Sequence, residues 1–378
     1  MRVLLTNAEN HSVVSMIRAL GKKGYQVFAV SKYSLAPGFY SKYVKDFFTY
    51  PSSGYEIALS SKLVKKPKEE RKFVNLINSL INKWNIDLLI PCYEDTLIPL
   101  SKNRDYINAV LPLPEHEKIM MVHNKTKFLE FCIKNKISIP KSFFPTSEAH
   151  VKEIISKEKL PIIVKPSIGS GGTLNTYLCN TRKEVLDTYR KNLKLGKESI
   201  IQEYIDGEYY SSIFVLDKKS NILASFCCKS IGLNLKFPIS KINPRIIKIS
   251  KKIFKKIGLV GIVSSQFIVE KNGIPKILEI NPRIISGITD LAIKCGINIP
   301  HILCKVFWNE KLILNSGKDG FVYVLPHHFF HFLKEFGVKS ALNYILGRKI
   351  KMDCPLEDPL SFLTEYYYHF QKKLNFLN

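Results

Sequence analysis

Short apolar runs alternate with helix-like periodicity over the first third of the chain. The runs predict strands at residues 2–6, 26–30 and 87–91, and the periodic segments predict helices at residues 13–22 and 69–84. Because strands separated by helices favour parallel pairing, this part is predicted to be a small doubly wound α/β sheet. The first strand is followed by TNAENH, which lacks the G-x-G-x-x-G pattern of dinucleotide-binding turns.

A different pattern follows the punctuated segment LPLPE at residues 111–115. Helices are predicted at residues 126–135 and 244–257, and another helix is predicted to begin after Ser147 as its N-cap. Strands are predicted at residues 162–165, 199–203, 209–216, 222–229, 260–270 and 276–281. Turn sequences at residues 217–221 and 271–273 indicate hairpins, so this part is predicted to be α+β with antiparallel neighbours.

The remaining segments complete the predicted organisation. Residues 52–68, rich in Ser and Lys, are predicted to form a loop, and the last part is predicted to contain a strand at 321–325 and helices at 329–336 and 359–374. We divide the chain into an N-terminal α/β domain, an α+β domain with a small central subdomain at about 140–205, and a mixed, mainly helical extension. Their limits are residues 1–113, 114–310 and 311–378.

The formal net charge of +25 is the unusual bulk property, since such a charge favours nucleic acid or anionic surfaces. The basic residues are spread along the whole chain, and the densest run, residues 248–256, has helical spacing. A solvated helix face is therefore favoured, and a polyanion partner is the minority interpretation. No apolar stretch approaches the roughly 18 residues that cross a bilayer, and the first residues lack the features of a signal peptide. These observations predict a cytosolic protein without a membrane partner.

Cysteine and histidine spacing does not indicate a metal centre. None of the eight cysteines forms a C-x-x-C pair, and most lie in apolar runs, which predicts reduced core residues. His327, His328 and His331 stand together in an aromatic-rich segment without a neighbouring carboxylate or cysteine. Packing is therefore favoured over metal binding for these three.

The clearest chemical signal is PIIVKPSIGSGG, where a buried strand ends in Lys165 and a glycine-rich loop follows. Glycines let backbone N–H groups approach phosphate oxygens, and the lysine adds a positive charge. A glycine-rich turn alone is more often only a turn, so the two interpretations are about equally supported. The residues of the candidate phosphate loop are Ser167, Gly169, Ser170, Gly171 and Gly172.

The second signal is KILEINPR, an apolar strand that ends in Glu279, Asn281 and Arg283. Strand alternation predicts that these side chains share one face. A carboxylate and an amide oxygen suit Mg²⁺, and the arginine suits phosphate or carboxylate. A strand with a polar solvent face is the alternative. Gln266 interrupts the preceding strand, and the hairpin would bring it beside Glu279 as a metal ligand or, equally, a structural hydrogen-bond partner.

A third segment, IIQEYIDGE, places Glu203, Tyr204 and Ile205 at a strand end before Glu208. Such a hinge has the main-chain groups to receive adenine, and a carboxylate that suits ribose hydroxyls. Considered alone, however, an ordinary strand end with a turn is favoured.

Taken in order, NKTKF with Lys125, PIIVKPSIGSGG, IIQEYIDGE and SSQFIVEKNGIPKILEINPR resemble the ATP-grasp superfamily. The last segment is especially similar to the carbamoyl-phosphate synthetase and biotin carboxylase branch. FYSKYVKDFFTYPS and IDLLIPCYEDT resemble the domain that precedes the ATP-grasp domain in carboxylate–amine ligases. The resemblance covers about residues 1–310 and implies an ATP-grasp fold with a small doubly wound pre-ATP-grasp domain at the N-terminus.

The resemblance also implies roles for individual residues. Lys125 and Lys165 would hold ATP phosphates, with the glycine loop closing over them, while Glu203–Ile205 would receive adenine and Glu208 the ribose. Gln266, Glu279 and Asn281 would support Mg²⁺, with Mn²⁺ as an alternative. Arg283 would face the transferred phosphoryl group, and Lys229 would lie near the substrate. Gln266 departs from the carboxylate that many relatives have, which puts one of two metal positions in doubt.

The reaction implied is phosphorylation of a carboxylate by ATP, followed by attack of an amine on the acyl phosphate, with release of ADP and phosphate. Lys, Arg and Mg²⁺ suffice for such a transfer without a general base. The partners expected are ATP and small carboxylate and amine substrates, and a homodimer is considered. The alternatives are a carboxylate- or carbamate-phosphorylating enzyme of the carbamoyl-phosphate synthetase type, and a non-catalytic ATP- or polyanion-binding protein.

Overall fold

A computed structural model describes residues 1–57, 63–168, 176–231, 237–308, 319–324, 329–352 and 356–377. Its N-terminal part is built on a four-stranded parallel sheet with the order β3-β2-β1-β6. The elements are β1 (Arg2–Leu5), α1 (His11–Gly21), β2 (Gln26–Ser31), β3 (Val44–Thr49), β4 (Tyr55–Ile57), β5 (Leu63–Lys65), α2 (Pro67–Trp84), β6 (Leu88–Ile90) and α3 (Glu94–Lys102). The predicted doubly wound α/β arrangement is confirmed.

The order of this sheet creates a crevice at one edge. The chain leaves β1 towards β2 on one side, and β6 later pairs with β1 on the other. In doubly wound sheets the point where the order reverses lies at the carboxyl ends of the strands and commonly receives ligands. The residues that follow β1, β2, β3 and β6 therefore share one edge of the sheet.

Two predictions in this part were wrong. Residues 52–68 are not a continuous loop, because β4 and β5 pair as an antiparallel hairpin and Pro67 already begins α2. The prediction also missed β3, an edge strand whose residues are mostly exposed and which therefore lacks the buried apolar run that marks the other strands.

The middle of the chain forms a small antiparallel sheet with the order β7-β10-β8-β9. Its elements and the two preceding helices are α4 (His116–His123), α5 (Lys125–Lys134), β7 (Ser142–Phe143), α6 (Glu148–Lys157), β8 (Ile162–Pro166), β9 (Tyr177–Cys179), α7 (Arg182–Lys194) and β10 (Ser199–Glu203). The Ser147 side chain accepts a hydrogen bond from the His150 amide, which confirms the predicted cap. The strongly polar α7 was not predicted, although Thr181 caps it.

The rest of the chain forms a seven-stranded sheet with the order β15-β14-β11-β12-β13-β16-β17. The elements are β11 (Glu208–Leu216), β12 (Ile222–Ile231), β13 (Phe237–Ser240), α8 (Pro244–Ile257), β14 (Gly261–Val269), β15 (Pro275–Asn281), α9 (Ile288–Lys294), α10 (Ile299–Phe307), β16 (Val322–Tyr323), α11 (Phe329–Leu346), β17 (Ile350–Lys351) and α12 (Pro359–Leu377). The antiparallel hairpins β11–β12 and β14–β15 confirm the α+β prediction. Strand β13 and helices α9 and α10 were not predicted.

The C-terminal helix packs on the N-terminal sheet. Arg18 of α1 donates a hydrogen bond from Nε to Oδ2 of Asp358 at 2.9 Å, and Ser41 also donates to that carboxylate. His11 contacts Glu365 of α12 and Tyr323 of β16. These polar contacts hold α12 beside the carboxyl edge of the parallel sheet. The domain limits given above stay a prediction.

Two remaining sequence predictions concern chain chemistry. Among the described helices, none is long and apolar enough to cross a membrane. The described cysteines are free thiols and all except the half-buried Cys295 are buried, which agrees with their predicted place in the core. His327 and His328 lie outside the described residues.

Candidate active site between the sheets

A β-bulge sets the orientation of the polar residues on β15. Gln266 of β14 pairs with Glu279, whereas the next residue, Phe267, pairs with Ile277, so Leu278 is left without a partner. Strict alternation would put Ile277 on the face of Glu279. The bulge instead lets Ile277 and Ile280 both enter the hydrophobic core. Glu279 is thereby directed away from the core, and Gln266 lies beside it, as the hairpin predicted.

Glu279 lies in a cluster with two lysines from other elements. Lys125, the first residue of α5, places Nζ 3.3 Å from Oε2 of Glu279, and Asn281 donates a hydrogen bond from Nδ2 to Oε1 at 3.1 Å. Burial alone would raise the pKa of Glu279, but Lys125 and Lys165 outweigh it and hold the pKa below its ordinary value. The carboxylate is therefore kept ionised in a buried place.

Lys165 reaches the same cluster from the small sheet. It ends β8 with a side chain that is only 6% exposed, and its Nζ donates a hydrogen bond to Oε1 of Gln202 on β10 at 3.0 Å. Burial lowers the pKa of Lys165 to about 8, and Lys125 adds to this while Glu279 opposes it. A cationic lysine here is short of compensating charge, which is a suitable condition for receiving a phosphate.

Ser167 connects the end of β8 to the start of α5. Its carbonyl accepts a hydrogen bond from the Lys125 amide at 2.8 Å, and its hydroxyl donates to Oδ1 of Asn124 at 2.9 Å. The two predicted phosphate-binding lysines are therefore held together through Ser167. The other predicted loop residues, Gly169, Ser170, Gly171 and Gly172, lie outside the described residues.

The predicted adenine segment lies at the junction of the two antiparallel sheets. Oε1 of Glu203 accepts hydrogen bonds from the Lys141 amide and from Nζ of Lys276, each at 2.8 Å, which ties β10 to β15. Tyr204 is exposed and Ile205 half-buried in the short connection to β11. The segment therefore spans the edge of the space between the sheets.

Glu208 and Lys229 form an ion pair across β11 and β12. This contact, with a weaker hydrogen bond from Tyr210, lowers the pKa of Glu208. The predicted ribose ligand and the predicted substrate lysine therefore lie side by side. Both are partly exposed, so they are accessible to a ligand.

Arg283 has a buried partner that the sequence analysis missed. Its Nε lies 2.6 Å from Oε1 of Glu94, the first residue of α3. The guanidinium also lies over the ring of Tyr93 at 5.3 Å, and the Tyr93 hydroxyl is 2.7 Å from Oγ of Ser286. Burial would raise the pKa of Glu94, but Arg283 outweighs it and lowers the pKa. The sequence signal was an acidic first turn after a buried strand, in IDLLIPCYEDT.

The oxygen donors on β14 and β15 suit a hard cation. Glu279 provides a carboxylate, and the amides of Asn281 and Gln266 provide neutral oxygens, all of the kind that Mg²⁺ and Mn²⁺ prefer. Within the described ranges, no three His, Cys, Asp or Glu side chains group around a common point. A metal at this place would therefore have a single protein carboxylate, and its remaining negative ligands would have to come from a phosphate chain.

Comparison with known proteins agrees with this arrangement. Residues 122–287 match the sequence model of a family described as an ATP-grasp domain. The chain contains an ATP-grasp domain. This domain includes every predicted site residue from Lys125 to Arg283, whereas Glu94 and Tyr93 precede it.

The ATP-grasp domain has relatives with several activities. The chain is 24% identical over 218 residues to a carbamoyl phosphate synthase large chain from Thermoanaerobacter sp. (strain X514), covering 54% of this chain and 20% of that one. It is 28% identical over 260 residues to tyramine–L-glutamate ligase from Methanocaldococcus jannaschii, covering 65% of this chain and 71% of that one. The chain thus spans about a fifth of the length of the synthases it matches.

The solved structures confirm the predicted ATP-grasp fold. Biotin carboxylase from Campylobacter jejuni superposes with a TM-score of 0.63 at 17% identity, over 82% of this chain and 72% of that one. This overlap includes more than the matched ATP-grasp domain, so the likeness extends to flanking parts of the chain.

Proposed function

We propose that the protein is an ATP-dependent ligase that phosphorylates a carboxylate and joins the acyl group to an amine, releasing ADP and phosphate. The observation that supports it most is the buried cluster of Lys125, Lys165 and Glu279, which lies beside the Arg283–Glu94 pair. Two lysines suit a nucleotide's phosphate chain, and the arginine suits a transferred phosphoryl group or a carboxylate. The relative named tyramine–L-glutamate ligase gives the same reaction class a precedent.

On the nucleotide side, Lys125 and Lys165 bind the phosphates, together with the loop that contains Ser167, Gly169, Ser170, Gly171 and Gly172. Glu203, Tyr204 and Ile205 receive adenine, and Glu208 receives the ribose. Glu279, Asn281 and Gln266 would hold Mg²⁺, with Mn²⁺ as the alternative. The metal would supply charge neutralisation at the phosphate oxygens. When ATP binds, Lys125 moves its ammonium group from Glu279 towards a phosphate.

The first step forms an acyl phosphate. A carboxylate oxygen of the acid attacks the γ-phosphorus of ATP, a new O–P bond forms, and the bond to the β–γ bridging oxygen breaks to leave ADP. Arg283 lies where the developing negative charge needs a donor, once it releases Glu94. Lys229 lies near the acid. Positioning and charge compensation account for the step, as expected for phosphoryl transfer.

The second step forms the amide. The neutral amine attacks the acyl carbon, the C–N bond forms, the C–O bond to phosphate breaks, and a proton from nitrogen passes to solvent. Phosphate leaves with the electron pair of the broken bond. Exclusion of water matters here because water is a competing nucleophile, and the buried position of the Arg283–Glu94 pair favours such exclusion.

The decisive experiment is a screen for ADP release over pairs of carboxylic acids and amines, beginning with amino acids and dipeptides, with Glu279→Ala as the blank. We expect ADP and phosphate only when an acid is present, and hydroxylamine should trap the acyl phosphate as a hydroxamate. AMP as the nucleotide product would overturn the proposal. ADP release with bicarbonate as the sole acid would replace it with a carbamate-phosphorylating reaction. A cytosolic location and a homodimer stay predictions, to be tested by fractionation and light scattering.

A further inference from the structure

A second polar cluster lies at the carboxyl edge of the parallel sheet, outside the phosphate cluster. Glu9 follows β1 and Asp95 follows β6, and the same amide group joins them. Nδ2 of Asn7 donates to Oδ1 of Asp95 at 2.9 Å and lies 3.5 Å from Oε1 of Glu9. Ser31, at the end of β2, donates its hydroxyl to the other oxygen of Glu9 at 2.7 Å. Three strand ends therefore direct polar groups to one place.

The charge at this edge is opposite to that of a phosphate site. Doubly wound sheets commonly bind anions here, at the N-terminus of the helix after the first strand. In this chain the connection is TNAENH, and it brings a carboxylate in place of the usual glycines. Two carboxylates around one amide repel a phosphate and favour a cation that donates hydrogen bonds.

Tyr50 provides an independent indication of a ligand. It follows β3, the fourth strand of the same sheet, and is 1% exposed. Within the described part of the chain, its hydroxyl has no hydrogen-bond partner. Burial, and then the charges of Asp95 and Glu9, raise the pKa of this hydroxyl, so the group lies close to both carboxylates. A buried hydroxyl without a partner is costly, and a bound ligand with a polar group would supply one.

Aromatic side chains border the same edge. Tyr33 after β2 and Tyr368 of α12 meet edge to face, with ring centroids 5.5 Å apart. The Tyr368 hydroxyl is within the electrostatic influence of Glu9. Nζ of Lys32 lies 5.2 Å from the Tyr33 ring, and this lysine also acts on Asp95. The C-terminal helix thus contributes to the border of the site, which gives this extension a role in binding.

The acidic edge adjoins the phosphoryl side through a single peptide bond. Glu94 contacts Arg283, and the next residue, Asp95, belongs to the acidic cluster. We propose that the Glu9–Asp95–Tyr50 site binds the ammonium group of the amine substrate, with Tyr33 and Tyr368 contacting its hydrocarbon part. This inference rests on the proposed ligase function and specifies its acceptor as a cationic primary amine.

Direct binding tests the site without catalysis. Calorimetry would measure binding of 2-phenylethylamine and butylamine, each against its neutral counterpart, 2-phenylethanol and 1-butanol. We expect both amines to bind more tightly than the alcohols, and Asp95→Asn and Glu9→Gln to raise the amine Kd at least tenfold. Tyr50→Phe should raise it by a smaller factor. Asp105→Asn, the same chemical change at an exposed position before the next domain, is the matched control and should leave the Kd unchanged.

The outcomes separate this inference from the proposed function. Equal affinity of amine and alcohol, or equal amine Kd in wild type and both carboxylate variants, would overturn the amine site even if wild-type protein makes hydroxamate from an acid and ATP. Selective amine binding that the variants lose supports the site. If such binding were found while no acid gave hydroxamate, the ligase function would fail and the cation site would stand. Because Asn and Gln are close in shape to Asp and Glu, circular dichroism should show folded variants.

Discussion

Two buried carboxylates, Glu279 and Asp95, show how neighbours decide what a carboxylate can do. Glu279 lies between two lysines, which hold its pKa below the ordinary value despite burial. Asp95 has Glu9 beside it, and burial followed by the Glu9 charge raises its pKa to about 7. The same functional group is thus a permanent anion in one region and a proton-exchanging group in the other. The first region suits a nucleotide with its metal, and the second suits a cation.

The largest expected effect is on catalysis. Glu279→Gln removes the charge that balances Lys125 and would hold the metal, so we expect the rate of ADP release to fall by about 100-fold or more. Steady-state assays with an acid and an amine from the substrate screen would measure it. Glu153→Gln, at an exposed position on α6, should retain the wild-type rate. A Glu279→Gln rate within twofold of wild type would contradict the assignment.

The boundary between the two regions should be the most sensitive place for stability. Glu94→Gln leaves the buried Arg283 charge without its partner, and we expect the free energy of unfolding to fall by about 3 kcal/mol. Urea unfolding would measure it. The exposed pair of Arg190 and Glu148 has the same 2.6 Å separation, so Glu148→Gln is the matched control and should change little. Equal losses in both variants would show that burial does not distinguish the pairs.

Titration should separate the regions next. Lys165 must be cationic to bind a phosphate, and its pKa of about 8 in the free protein means that the cation is lost as the pH rises through 8. Bound phosphate raises this pKa, so ATP affinity should fall by up to about tenfold per pH unit above 8. Glu279 and Lys125 also act on the group. Lys165→Arg stays charged and should bind ATP with a flat profile over this range, as followed by calorimetry.

The smallest effect expected is a gain in stability at Asp95. The unfolded chain ionises this group near its ordinary pKa of 3.8, whereas the folded protein does so only near 7. The folded state therefore binds more protons between these values, and wild-type stability falls as the pH rises through them. Asp95→Asn removes this penalty, and at pH 8 it should be more stable by about 1–2 kcal/mol. Glu9, Lys32 and Glu94 contribute to the field at Asp95. Urea unfolding at pH 5 and pH 8 would test the sign, and a loss at both would contradict it.

The sequence predicted those parts of the site that depend on local pattern. Lys165 ends an apolar strand, and Glu279 and Asn281 lie on a strand whose hairpin partner carries Gln266, so a few residues determine their neighbours. The parallel and antiparallel sheets followed from the order of strands and helices for the same reason.

The remainder depends on contacts between distant segments. Glu94 reaches Arg283 only because the parallel sheet packs against the end of β15, and Tyr50 reaches the acidic edge only because β3 pairs with β2. Neither contact has a periodicity to reveal it. The bulge at Leu278 was also out of reach, since it depends on pairing with β14 and shifts the alternation that the sequence pattern assumes.

The peptide bond between Glu94 and Asp95 has a thermodynamic consequence. A ligand that draws Arg283 away from Glu94 changes the first turn of α3, and the same turn positions Asp95. The two ligands are then linked, so any factor by which acyl-phosphate formation changes amine affinity must equal the factor by which the amine changes affinity on the phosphoryl side. One short turn would in this way impose an order on the reaction, with the acceptor held tightly only after the acid has been activated.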